Sequence, residues 1–237
     1  MNQTPQRLRL DRFLTETTGL SRSQAQRLLR ERRVSVDGEI VRTGRHSVSA
    51  ESRILLDEQA LTWPTPAYLM LHKPDGVVCD RTHDFHASVF ELLTEHPRVD
   101  KLHLAGRLDV DTTGLVLLTD DGQWSHRITS PRHRCPKRYH AILEKPLSQE
   151  GRQAIEQGLQ LRNEDKPCEP ASIEMVEPME IYITVTEGRY HLVKRLLAAA
   201  GAPVEQLHRA AIGSLSLDPN LAPGQWRELS SEEHAAF

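Results

Sequence analysis

No stretch of this 237-residue chain stays apolar over the roughly 20 residues that a membrane-spanning helix requires. The first residues, MNQTPQRLRLDRFL, lack the apolar core of a secretory leader, so a cytoplasmic protein without a membrane partner is expected. Cysteine is scarce. Three residues, Cys79, Cys135 and Cys168, are odd in number and widely spaced, and they imply no disulfide framework. Internal repeats and low-complexity segments are absent too. Apolar residues make up 38%, below the usual share, which fits a soluble protein with much polar surface. Charged residues reach 27% with both signs mixed, so disorder is not indicated.

Lysine is missing from the first sixty residues. Eleven arginines stand there against eight acidic residues, a net charge of +3, leaving −6 on the remainder of a chain whose total is −3. Within residues 20–46 the ratio is seven arginines to three acids. A basic head on a mildly acidic body points to an anionic partner for the head.

The head has readable elements. Leu10, Phe13 and Leu14 recur at i, i+3 and i+4 and predict a short amphipathic helix closed by Gly19. Ser21 followed by Gln24 predicts a capping box, with Ala25, Leu28 and Leu29 as the inner stripe of a second helix. Asp37-Gly38 between RVSV and EIVR predicts a tight hairpin, and SRILLD a further strand. Pro64 and Pro66 mark a connector, so we expect a head of residues 1–60, a linker of 61–66 and a second domain of 67–237.

In the second domain YLMLH, GLVLLT, RYHAILE, SIEMV and IYITV read as strands, and WSHRITS and YHLVKRLLAAAG as helices. Strands outnumber helices and mostly follow one another directly. The expected class is α+β with a largely antiparallel, mixed sheet flanked by helices.

The stretch GRLDVDTTGLVLLTDDG holds Asp109 and Asp111 one residue apart. A calcium loop would need oxygen ligands at alternate positions between two helices, but Leu117 sits at position nine and GLVLLT reads as a strand. DVDTT also fits the D-x-D-x-T signature of haloacid dehalogenase phosphohydrolases, which use magnesium. That chemistry requires a hydrophobic strand running into the first aspartate, and Gly106 and Arg107 interrupt one. The sets Cys79-His83-His86 and His133-Cys135-His140 lack paired C-x-x-C spacing and read as polar loop residues rather than metal ligands.

A third reading comes from the flanks. RLDRFL, SRSQAQRLLRERRV and VSVDGEIV resemble the S4 RNA-binding domain. LHKPDGVV, AGRLDVDTTGLVLLTDDG, CPKRYHA and EGRYHLVKRLLAAAG resemble, in order, motifs of the pseudouridine synthases that carry such a domain. TDDGQWSHRITSPRH resembles the branch acting on small-subunit ribosomal RNA. The resemblance implies isomerisation of a uridine to pseudouridine, with uridine 516 of 16S rRNA as the target. It implies RNA binding by Arg22, Arg27, Arg30, Arg32 and Arg33 in some combination, since the guanidinium fork grips phosphates and stacks on unpaired bases. It assigns Asp109 as nucleophile toward C1′ or base toward the 2′ proton. Lys194 is assigned as the cation that keeps Asp109 charged, and Tyr139 as the stacking partner of the uracil. Arg107 would hold the aspartate loop or a phosphate, and Asp111 would support the turn through side-chain-to-backbone bonds. Helical spacing alone does not choose between Lys194 and Arg195. Nothing is oxidised and no phosphate moves, so neither cofactor nor metal is expected. The expected partner of a monomeric protein is small-subunit ribosomal RNA, naked or as a partly assembled ribonucleoprotein. Two rival readings are a non-catalytic RNA-binding or ribosome-assembly factor on the same fold, and the magnesium phosphohydrolase.

Overall fold

The computed structural model describes residues 7–237. The chain divides into two compact units between Thr65 and Pro66. No helix among the described residues is long and apolar enough to cross a membrane.

The first unit runs β1 (Arg7–Arg9), α1 (Leu10–Thr18), α2 (Arg22–Arg30), β2 (Val34–Val36), β3 (Glu39–Ile40), β4 (Ser47–Ser49), β5 (Ile54–Leu56) and β6 (Gln59–Ala60). Gly19 ends α1 in the left-handed conformation, with its N–H bonded to the Thr15 carbonyl. At the start of α2 the Ser21 hydroxyl accepts from the Gln24 N–H while the Gln24 side chain accepts from the Ser21 N–H, the reciprocal cap its spacing predicts. Leu10, Phe13 and Leu14 pack on Ala25, Leu28 and Leu29, closed by Val34, Val36 and Ile54. Asp37 and Gly38 both have positive φ, so β2 turns directly into β3. Leu61 and Trp63, inside the stretch expected as a connector, pack against this same core, with the Trp63 ring 5.1 Å from Phe13.

The second unit contains β7 (Tyr68–Lys73), β8 (His103–Leu104), β9 (Thr112–Thr119), α3 (Gly122–Thr129), β10 (Lys137–Leu143), α4 (Gln149–Gln157), β11 (Ser172–Glu177), β12 (Glu180–Val185), α5 (Leu192–Ala199), β13 (Val204–Ile212), β14 (Leu215–Ser216), β15 (Trp226–Glu228) and α6 (Ser231–His234). Its sheet has the order β11-β12-β10-β13-β9-β7-β15, with β14 on β13 and β8 on β9. Every pairing is antiparallel except that of β13 with β9. The fold is thus α+β, a small S4-like unit followed by a mixed, largely antiparallel sheet with helices.

Burial explains the two kinds of strand. Ile181, Ile183 and Val185 of β12 face the core while Tyr182 and Thr184 stay half-exposed, so this strand alternates. Strands β7 and β9 are covered on both sides. Leu69, Leu71, Val116 and Leu118 join one apolar cluster, and Met70, Leu115 and Leu117 join another with Trp124 and Ile128 of α3. That double cover is why YLMLH and GLVLL are continuous apolar runs. The elements the periodicity did not announce include α4, capped by Ser148, and β13, which runs through the middle of the sheet.

The parallel pairing of β13 with β9 sets Arg209 opposite Gly114. Gly114 has φ +106, and a Cβ there would lie 2.3 Å from the Arg209 carbonyl oxygen. Only glycine permits this approach, because the strain and the clash act on rigid backbone. Gly114→Ala is expected to destabilise the second unit by about 3 kcal/mol or more. Thermal melting of the purified variant would read this as a clearly lowered midpoint.

Candidate active site

Asp109 lies on the loop between β8 and β9, and the residues around it are held chiefly by their backbone. Lys73, the last residue of β7, is 0% exposed. Its ammonium donates to the carbonyls of Pro74 at 2.9 Å, Val110 at 3.0 Å and Thr112 at 2.9 Å. Burial lowers the Lys73 ammonium below the ordinary lysine value, against the pull of Cys79 and of the nearby aspartates. From the β13 side Arg209, only 3% exposed, donates from Nε to the Leu115 carbonyl at 2.8 Å and from Nη1 to the Arg107 carbonyl at 3.2 Å. The Leu108 N–H donates to the Cys79 sulfur at 3.3 Å, the Gly76 N–H to the Val110 carbonyl at 3.0 Å, and the Thr112 N–H to the Asp109 carbonyl at 3.1 Å. Backbone groups from Arg107 to Thr112 are therefore tied to strands on two sides, and the aspartate side chains are left to project.

They project toward the start of α5. Asp109 Oδ2 is 3.6 Å from Lys194 Nζ, and Asp109 Oδ1 is 3.3 Å from His191 Nε2. Lys194 also donates to Asp111 Oδ1 at 2.5 Å. The cation is shared, and the two carboxylates differ in shelter: the side chain of Asp109 is 29% exposed, that of Asp111 64%. The Lys194 bond holds the Asp111 carboxyl below its ordinary range. The sequence reading has Asp111 bracing its turn through the backbone; its carboxylate takes a bond from its own backbone N–H and also engages the lysine, because α5 brings a cation within reach.

Helix α5 begins at Leu192, two residues later than the sequence pattern suggests. His191 stands before it in the left-handed conformation at φ 47. This kink turns the imidazole toward Asp109. Of the two basic residues between which spacing does not choose, Lys194 faces the aspartates. Arg195 donates to Glu164 at 2.7 Å, to the Tyr190 carbonyl and to the Arg162 carbonyl.

These groups line a cleft of about 570 Å³ that also contains Tyr139, Arg107, Arg209 and Tyr190. Tyr139 projects from β10 and packs against two apolar clusters, with the Arg209 guanidinium 6.0 Å from its ring centre. The second terminal nitrogen of Arg209 is buried and has no hydrogen-bond partner among the described residues. Arg107 lines the cleft with a guanidinium 68% exposed and 4.0 Å from Asp80.

The geometry disfavours the two metal-based readings of DVD. Asp109 follows a loop rather than a strand, and DVDTTG runs into β9 rather than between helices. Among the described residues no group of three His, Cys, Asp or Glu side chains could hold a metal ion. The three cysteines are free and buried, and burial pushes each thiol up.

The sequence pattern of RNA pseudouridylate synthases matches residues 67–199, and that of S4 domains matches residues 8–54. The chain belongs to the RNA pseudouridylate synthase family. The synthase is 48% identical over 230 residues to the ribosomal small subunit pseudouridine synthase A of Yersinia pestis, covering 97% of both chains. It is 48% identical to the protein of the same name from Escherichia coli K12, covering 97% of this chain and 99% of that one. A solved structure described as a pseudouridylate synthase superposes with a TM-score of 0.70 at 46% identity, covering 97% of this chain and 99% of the other.

Three residues of the synthase site escape a reading of the sequence. Lys73 sits in the LHKPDG motif, yet nothing in its spacing shows that it is buried. Arg209 interrupts an apolar pattern that would otherwise reveal β13. His191 is absorbed into a helix that starts after it. In the S4 unit, Arg22, Arg27, Arg30, Arg32 and Arg33 are all exposed. Arg33 is the poorest candidate for a phosphate, because Asp57 engages its fork at 2.8 and 2.5 Å and holds the guanidinium above its ordinary value. Arg27 pairs more loosely with Glu31, at 3.4 Å.

A titration checks the shared lysine. Because the Asp111 carboxyl is lowered, its bridge to Lys194 is complete above the ordinary aspartate value of 3.8 and is lost only as pH falls through the lowered one. In Lys194→Gln the Asp111 titration, followed by carbon NMR of the side-chain carboxyl, is expected to move up toward 3.8.

Proposed function

We propose that this synthase converts a uridine of small-subunit ribosomal RNA, uridine 516 of the 16S molecule, to pseudouridine in the cytoplasm. The observation that supports this most is Asp109: a carboxylate on a backbone-clamped loop, facing Lys194 and His191 inside a cleft that also holds Tyr139. The cleft volume, about 570 Å³, lies in the range that encloses small ligands, about 300–1,000 Å³.

The uridine enters by flipping out of its stack, at a cost of a few kcal/mol. The Tyr139 ring packs on one face of the uracil and keeps water from the sugar. Asp109, beside Lys194, acts on the ribose, either adding to C1′ or removing the 2′ proton. The N1–C1′ bond breaks and its electron pair leaves with the uracil. The ring turns, and C5 bonds to C1′. The proton on C5 departs and N1 takes one up, so substrate and product are isomers and no electrons are exchanged with an outside partner. If Asp109 has added to C1′, that bond breaks as C5 arrives; if it has removed the 2′ proton, it returns it. The exposed arginines of α2 contribute phosphate contacts that offset the flipping cost and raise affinity without reading sequence.

Three measurements test this. Asp109→Asn is expected to lower pseudouridine formation on a 16S fragment by at least about a thousandfold while RNA affinity stays within about twofold. Retention of turnover by that variant sinks the mechanism; a non-catalytic assembly factor predicts no product from wild type at all. With RNA folding held constant, a chelator is expected to leave the rate unchanged. Replacing Arg22, Arg27 and Arg30 together by alanine is expected to weaken RNA binding and flatten its salt dependence, by up to about one unit of log–log slope for each phosphate no longer neutralised.

A further inference from the structure

The chain has four phenylalanines, four tyrosines and three tryptophans. All but two of these aromatic side chains are buried or half-buried. The exceptions are Phe85, 86% exposed, and Tyr190, 73% exposed. Tyr190 lines the cleft directly. Its ring lies on that of His191 at 3.7 Å with the planes 20° apart, and His191 in turn touches Asp109. Phe85 belongs to the loop of residues 80–87, where its ring meets His83 edge-on at 6.2 Å, and His83 lines the same cleft. One exposed ring thus lines the cleft and the other touches a residue that lines it, and the same cleft is lined by Arg107, its side chain 68% exposed, and Lys194.

We propose that Tyr190 and Phe85 are stacking platforms for the unpaired nucleotides that flank the target uridine in the RNA strand. This rests on the isomerase reading above and adds a substrate subsite to it. Flipping the uridine removes a stacking neighbour from the base on each side of it. Those bases expose an apolar face, and a solvent-facing aromatic ring at the mouth of the cleft covers it without regard to base identity. A cationic rim suits the phosphates between them. Tyr190 is backed by His191, so a base settling on its outer face extends a stack that ends at the reacting carboxylate. A flanking base thereby sets the orientation of the group that attacks its neighbour.

The test uses the full-length protein and a 16S fragment carrying 2-aminopurine next to the target uridine, on the 5′ or the 3′ side. Binding is read in an Asp109→Asn background so that turnover does not intervene. Quenching of 2-aminopurine on binding is expected on at least one side, and is expected to be lost with Tyr190→Ala or Phe85→Ala. In the active background each alanine variant is expected to raise KM by roughly tenfold, with the loss falling on KM more than on kcat. Tyr190→Phe, which keeps the ring, is expected to restore both readouts. Phe85 lies on an exposed loop, so its variant reports independently should Tyr190→Ala fold poorly. If wild type makes pseudouridine but the alanine variants leave quenching and KM unchanged, the platforms do not exist. If wild type makes none, the isomerase reading fails on its own, and the quenching experiment still reports whether bases stack there.

Discussion

A lysine ammonium buried among strands is costly unless its three N–H groups find acceptors. Lys73 finds three backbone carbonyls, and two of them, those of Val110 and Thr112, stand on either side of Asp111. The arrangement of the site follows from this. Because the lysine binds main chain rather than carboxylate, it fixes the path of the loop without neutralising Asp109 or Asp111. Arg209 repeats the device from the other side through the carbonyls of Leu115 and Arg107. Each cation gains partners only if the loop takes this one course, so burial and loop geometry enforce each other.

The charges that face the cleft come from another element. Helix α5 and the residue before it supply Lys194 and His191, while the loop before β9 supplies the carboxylates. A flexible loop would let Asp109 collapse fully onto Lys194 in a close pair. The clamped backbone holds it at 3.6 Å while Asp111 takes the closer position at 2.5 Å. Asp111 is thus the closer partner of the lysine, and Asp109 the more distant one.

Much of the framework was readable in one dimension because it rests on local physics. The Ser21–Gln24 cap, the Leu10/Phe13/Leu14 stripe and the Asp37-Gly38 turn each depend on residues within a few positions of one another. Alternation in IYITV and its absence in YLMLH told one-sided from two-sided burial. Strand β13 stayed hidden because its core-facing positions include Arg209, a charged residue whose partners lie about a hundred positions earlier. Helix α4, too, is a short amphipathic piece whose apolar residues are few, and its packing under α5 comes from distant sequence.

The site divides in the same way. The resemblance to the synthase motifs singled out Asp109, Tyr139, Lys194 and Arg107, and the fold gathers all four in one cleft. Sequence alone therefore determined the fold class and the chemical groups on offer, since both follow from composition, periodicity and motif. Only the tertiary structure decided that Lys194 rather than Arg195 faces the aspartates, that His191 leaves the helix to meet Asp109, and that Lys73 and Arg209 are buried clamps. Those outcomes depend on hydrogen bonds between groups dozens of residues apart, where direction and distance, which no spacing rule carries, select one partner among several.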